Sequence, residues 1–162
     1  MKKSRNPIPI KVSRGNVSVL ERLRVLDKTQ KHAVLATDSD GQPYTSLVAY
    51  ALISDMKGIV FATPKDTNKY RNILKNRRVS LLIDTRSNTE KDYMGAESVT
   101  ILGNAQQVKR SKKRSELASI LTKKHPKLSK FIDSPEGALV FVEITKCIHV
   151  TRFQSVSEWH KG

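Results

Sequence analysis

The stretch IVFATPKDTNKYRNILKNRRVSLLID, residues 59–84, carries the plainest statement of the architecture. It opens on an apolar run rich in β-branched residues and passes through a polar loop. A short helical pattern follows, and the alternating run RVSLLID closes it. The spacing predicts strand 59–63, helix 67–75 and strand 78–84. The loop and first helical turn hold Thr63, Lys65, Thr67, Asn68, Lys69 and Arg71. Thr67 suits the N-cap, where a hydroxyl accepts from a free N–H of the first turn. The remaining unbonded N–H groups, the helix dipole and the lysines favour an anion at that point, and phosphate is the natural guest. A solvated helix start with ordinary capping is the other reading of the same residues.

Upstream, residues 1–15, MKKSRNPIPIKVSRG, form a basic segment with two prolines, expected to be an extended or disordered tail ahead of a single domain at 16–162. A helix is predicted over 17–31. Ser18 and Glu21 stand at capping-box spacing, and Val19, Leu20, Leu23 and Leu26 make its apolar stripe. Strands at 32–37 and 43–53 flank the turn Asp38-Ser39-Asp40-Gly41.

Downstream, a polar loop at 86–96 leads to a long strand at 97–108, with Gly103 marking a bend or bulge. A basic helical segment over 109–125 carries Leu117, Ile120 and Leu121 and ends at Pro126. A helical turn at 128–132, a strand at 138–150 and an irregular end from Thr151 complete the chain. Short strands joined by tight turns, with helices at the periphery and no regular βαβ alternation, predict a mostly β fold: an antiparallel barrel.

The chain has 162 residues, enough for one domain with a proper core, and a net charge of +15. That charge attracts polyanions: nucleic acid, an anionic membrane surface or a phosphorylated cofactor. A merely solvated basic surface accounts for it equally. One cysteine, Cys147, allows no intrachain disulfide and fits a reducing cytoplasm. No apolar run approaches a membrane span or a signal peptide, so no membrane partner is expected.

His32, His125, His149 and His160 show no metal-ligand spacing, so no metal site is expected. His125, before Pro126, reads as a surface residue, and His149 as an ordinary strand histidine. Cys147 reads as a small apolar group without an activating partner. The run KRSKKR at 109–114 reads as the exposed start of a helix; contact with nucleic acid is the alternative, although interleaved aromatics are missing. Phe153 and Trp159 serve either to anchor the C-terminal tail or to cover a ligand. No catalytic acid or base is identifiable.

Three segments, ATDSDGQPYTSLVAY (36–50), GIVFATPKDTNKYRNILKNRRVSLLID (58–84) and SVTILGNAQQV (98–108), stand in an order and spacing that resembles the pyridoxamine 5'-phosphate oxidase-like family of FMN-binding split barrels. The resemblance implies a six-stranded antiparallel split barrel and a homodimer with FMN at the subunit interface. It implies that the strand at 46–51 lines the isoalloxazine through its backbone, at Ser46, Leu47, Val48 and Ala49. Ala62 and Thr63 would close the ribityl and phosphate region beside Thr67. Asn68 and Lys69 stand where the family places its phosphate-binding pair. Ser98 stands where the oxidases often have a glutamine touching the flavin from the other subunit.

The well-studied oxidases carry arginine at the positions of Ser46 and Asn68 and lysine at Ala51, leaving Lys69 as the main phosphate contact here, with Lys65 and Arg71 as substitute cations. The implied activity is that of an FMN-dependent oxidoreductase, supplied with electrons by a reduced nicotinamide or an organic substrate. A second branch of the same fold degrades haem, and 123–153 resembles its C-terminal region. That branch usually has histidine in place of Lys69, and lysine suits a phosphate where neutral imidazole suits a metal. A basic module that binds nucleic acid through the tail and 109–130 is the non-enzymatic alternative.

Overall fold

The computed structural model describes residues 11–13, 16–151 and 155–162. Most of the expected N-terminal tail lies outside those residues, as does Phe153. The elements in order are β1 (Lys11–Ser13), α1 (Asn16–Thr29), β2 (His32–Ser39), β3 (Gln42–Leu52), β4 (Gly58–Pro64), α2 (Asn68–Lys75), β5 (Arg78–Asp84), α3 (Asp92–Gly95), β6 (Glu97–Gln107), α4 (Lys112–Lys124), α5 (Ser129–Asp133), β7 (Gly137–Thr151) and β8 (Ser155–His160).

Six antiparallel strands in the order β7-β4-β3-β2-β5-β6 close into a barrel through the β6–β7 pairing. The length of β7 makes this possible. Its first half pairs with β4 from Gly137 to Glu143, its second half pairs with β8 from Lys146 to Thr151, and β6 runs along its other edge. Beyond the barrel, β8 extends the sheet and β1 pairs with it in parallel. The sequence pattern predicts neither strand. β8 reads SVSEWH, a polar strand between β1 and β7 whose largest apolar residue, Trp159, stands opposite Cys147 and packs on the core. Pairing, rather than any pattern of its own, decides its conformation.

Period-two alternation sends Leu35, Leu81 and Ile101 into the barrel and their neighbours outward. The outer faces of β3, β4 and β7 are covered as well. Ala51, Val60 and Leu139 pack under Leu117 and Leu121 of α4 and Ile132 of α5. Burial on both sides explains why these strands read as near-continuous apolar runs.

Helix α1 plugs one end of the barrel with Val19, Leu23 and Leu26. It begins at Asn16, so Ser18 lies inside its first turn rather than at the cap. Helix α2 crosses the opposite end, burying Tyr70 and Ile73, with Asn72 Nδ2 donating to Thr37 Oγ1 at 3.1 Å.

The β2–β3 turn puts Asp40 and Gly41 at φ +60° and +80°, the mirror-image turn that matches strand twist. The expected bulge at Gly103 is present as a register shift after Leu102. A Cβ there would strike the carbonyl oxygen of Glu143, so only glycine lets the two strands approach.

Candidate functional site

Strands β3 and β4 pair over three positions only: Leu52 with Ile59, Ala51 with Val60 and Tyr50 with Phe61. They then part. β3 stays bonded to β2 from Gln42 to Ala49, and β4 stays bonded to β7 as far as Pro64. Along 46–49 the edge of β3 that faces β4 therefore meets no strand among the described residues. Every second residue presents its N–H and C=O to that edge.

Side chains on this stretch alternate. Ser46 stands opposite Leu35 and shares the inward face with Val48 and Tyr50, and its Oγ is buried without a hydrogen-bond partner. Leu47 and Ala49 take the outward face; Leu47 is 65% exposed and Ala49 half-buried. What this segment offers a ligand is main chain, plus the outward side chains of Leu47 and Ala49.

Beside the open edge, the end of β4 runs into α2. Ala62 is half-buried and Thr63 fully buried. The hydroxyls of Thr63 and Thr67 lie 3.2 Å apart, and Thr67 Oγ1 donates to the Pro64 carbonyl at 2.9 Å. Thr67 is the N-cap, its Oγ1 accepting from Tyr70 N at 3.3 Å. Arg71 N donates to the Thr67 carbonyl at 3.1 Å. The N–H groups of Asn68 and Lys69, first in the helix, have no intrahelical acceptor. Tyr70 Oη donates to Gln107 Oε1 at 2.8 Å and holds the helix against β6.

The cations of this loop divide. Arg71 is engaged: one nitrogen lies 2.9 Å from Asp66 Oδ1 and another donates to Asn68 Oδ1 at 2.6 Å. That geometry occupies Asn68 Oδ1 as well. Lys65 and Lys69 form no ion pair among the described residues and remain available to an anion.

Ser98 is not brought to this place within one chain. It pairs with Val150 of β7, whereas Thr63 pairs with Ala138, about 40 Å earlier along the same strand at roughly 3.3 Å per residue. Of this loop, Lys65 lines a cavity of about 400 Å³ together with Gln107, Lys109, Arg110 and Arg114. A depression of about 610 Å³ lies elsewhere, between the β2–β3 hairpin and the start of β5, and none of the expected contacts lines it.

Two polar clusters that sequence reasoning misses tie helices to the barrel. Glu97 receives both Nε of Arg22, at 3.0 Å to Oε2, and a second guanidinium nitrogen of Arg22; His149 Nε2 lies 2.9 Å from the same Oε2. The Arg22 guanidinium holds the Glu97 carboxyl below its usual range, with help from His149 and against burial. The second cluster joins Lys124 to Asp27 at 2.7 Å, with Leu52 N on the same carboxylate at 3.0 Å and the ammonium 3.8 Å from the Tyr50 ring centroid. Burial pulls Lys124 below the usual lysine range, although Asp27 opposes it.

His125, expected at the surface, is half-buried with Nε2 2.9 Å from the Tyr50 carbonyl, and burial lowers its pKa. No spacing could reveal these pairs, because partners such as Glu97 and His149 meet only through the β6–β7 register. Cys147 is fully buried, and its thiol is pushed up to about 12 by burial. Among the described residues no three His, Cys, Asp or Glu side chains converge as a metal site, and no helix is long and apolar enough to cross a membrane.

Solved structures share this arrangement. A haem-binding protein from Mycobacterium smegmatis is 17% identical over 91% of this chain with a TM-score of 0.78; the chain spans 59% of that protein's length. The haem storage protein HutZ from Vibrio cholerae is 15% identical over 78% of this chain and 89% of its own, with a TM-score of 0.67. An FAD-binding protein from Mesorhizobium loti is 19% identical over 80% of this chain and 91% of its own, with a TM-score of 0.64. At such identities the likeness concerns the fold. No curated protein matches the sequence. The family described as pyridoxamine 5'-phosphate oxidase matches residues 20–148, from α1 to the second half of β7, and the chain belongs to that family.

Proposed function

We propose that this protein binds FMN between the open edge of β3 and the start of α2, and works as a flavin-dependent oxidoreductase in a homodimer. The observation that carries the reading is the parting of β3 from β4 beside a helix start whose two lysines, Lys65 and Lys69, form no ion pair among the described residues. A flavin ring has a polar edge that asks for N–H and C=O groups, and an unpaired strand edge supplies them without particular side chains. Its phosphate suits the free N–H groups of Asn68 and Lys69 together with the Lys69 ammonium. Thr63 and Thr67 are committed to each other and to the cap, so they shape the loop more than they bind.

The second subunit enters for a geometric reason. Ser98 can reach a flavin at 62–69 only from another copy, since its own loop is at the far end of β7. The outward row Leu47, Val34 and Leu82, cross-strand neighbours on β3, β2 and β5, continues through Thr100 to Ile148 and offers a largely apolar face for that copy. When bound, the flavin supplies two-electron redox chemistry. The chain's own part is to anchor the phosphate through Lys69, orient the ring along β3 and keep water from it with Leu47 and Ala49. Reduced nicotinamide is the electron donor to be tried first. Lys69 also sets flavin against haem, since an ammonium at this position suits a phosphate and gives iron no neutral imidazole.

Protein purified without added cofactor should show flavin absorbance. A Soret band on haem addition, bleached by a reductant, with no flavin taken up, would overturn the reading. Lys69→Ala should weaken FMN about 10- to 100-fold, the range of one charge-assisted hydrogen bond, and leave riboflavin nearly unchanged because it lacks the phosphate. Equal losses for both ligands would remove Lys69 from the phosphate site.

A further inference from the structure

The flavin reading leaves most of the positive charge without a task. Residues 109–130 hold nine lysines and arginines against one carboxylate, Glu116, in a chain whose net charge is +15. The fold spreads these cations over one outer face of the barrel, on the β6–α4 link, α4 and the segment into α5. Lys109, Arg110, Lys112, Lys123, Lys127 and Lys130 are exposed and form no ion pair among the described residues. Like charges held together without counter-charges repel, and that repulsion is relieved when an anion is bound.

The surface between them is concave rather than flat. A cavity of about 400 Å³ takes Lys109, Arg110 and Arg114 in its wall, together with Lys65 from the loop before α2. A second, of about 570 Å³, adjoins it at Arg114 and Asp133 and runs along α4 past Ser115, Ser119 and Thr122 to Ser129. Hydroxyl donors thus alternate with cations along a groove that contains one carboxylate. That is the donor set used for phosphodiester oxygens.

None of the exposed large hydrophobic side chains, such as Leu47, Leu74, Tyr93 or Met94, belongs to this face. An anionic membrane would find no exposed large apolar residue there to take up. Among the described residues the face also has no exposed aromatic ring on which unpaired bases could stack; Phe141 lies half-buried beneath Lys113, 4.6 Å from its ammonium. We propose that the α4–α5 face binds the phosphate backbone of duplex nucleic acid without reading sequence. This rests on charge and groove alone and stands whether or not FMN binds.

The test is fluorescence anisotropy of a labelled mixed-sequence DNA duplex with the full chain, across about 50–200 mM salt. Affinity should fall steeply with salt, at close to 0.9 log unit per log unit of salt for each phosphate contact. The quadruple variant Lys109→Gln, Arg110→Gln, Lys112→Gln, Lys113→Gln should lower that slope by about three to four and weaken binding at least about tenfold. A control, Lys75→Gln, Arg78→Gln, Arg86→Gln, Lys91→Gln, removes the same charge around β5, on the opposite side of the barrel. It should change binding far less.

Equal weakening by both variants would show general charge attraction and overturn the assignment. So would absence of duplex binding at the lowest salt, or binding to phosphatidylserine vesicles in place of the duplex. All eight residues are exposed, so folding should survive; if circular dichroism shows otherwise, single substitutions along 109–113 should each lower the slope by about one.

Discussion

Glu97 and Lys69 are both charged and both fall within the family match, yet their surroundings assign them opposite tasks. Glu97 is 14% exposed and holds two partners, Arg22 from α1 and His149 from β7, so its charge is used up inside the molecule. Lys69 forms no ion pair among the described residues, and in the proposed site its charge serves the ligand. Glu97→Gln removes charge-assisted bonds and should destabilise the protein by about 1–3 kcal/mol, read from a urea midpoint. Its folded-state pKa is depressed below the ordinary 4.5, so its contribution is full above that pH and is lost as pH falls through the folded value. The variant's stability should vary less with pH in that acid range. An unchanged acid slope would mean that the Arg22–Glu97–His149 contact is not what couples folding to pH.

Helix α2 is short, eight residues, and depends on how it starts. Thr67 caps it, and the Thr63–Thr67 hydroxyl contact ties the cap to the end of β4. Thr67→Ala should cost about 1 kcal/mol, within the usual range for a lost N-cap, measured by chemical denaturation. Because the cap also sets where the Asn68 and Lys69 N–H groups point, FMN affinity should fall further than riboflavin affinity. This element was legible because its information is local: a capping threonine, a short helical pattern with Tyr70 and Ile73 one turn apart, and strands of recognisable pattern on both sides. β8 was not legible because SVSEWH has no strand signal of its own, and its conformation comes from pairing with β7. The capping-box spacing at Ser18 and Glu21 misled for a related reason. α1 is held by the core contacts of Val19, Leu23 and Leu26, and these carry the helix back to Asn16 whatever the local cap prefers.

At the scale of the whole molecule, the loop and the strand edge lie open, and the residue expected to complete the site stands at the other end of the barrel. Leu47, exposed beside that edge, is where a second copy and a flavin would meet. Leu47→Glu should therefore yield a monomer by sedimentation equilibrium and also lose retained flavin, although the 62–69 loop is untouched. A dimer that persists with flavin bound would take this face out of the interface.

The sequence by itself determined the strands whose faces alternate, the start of α2, the turn at Gly41, the bulge at Gly103 and the grouping of Thr63, Thr67, Asn68 and Lys69. Each depends on neighbours within a few residues, so propensity and period suffice to read it. Only the tertiary structure decided where β3 leaves β4, that Ser46 faces inward and Leu47 outward, and that Arg71 belongs to Asp66. It alone set Ser98 apart from the loop and gathered the basic segment around a groove. Those outcomes depend on register and barrel closure, where residues far apart in the chain compete for the same hydrogen bonds and the same interior.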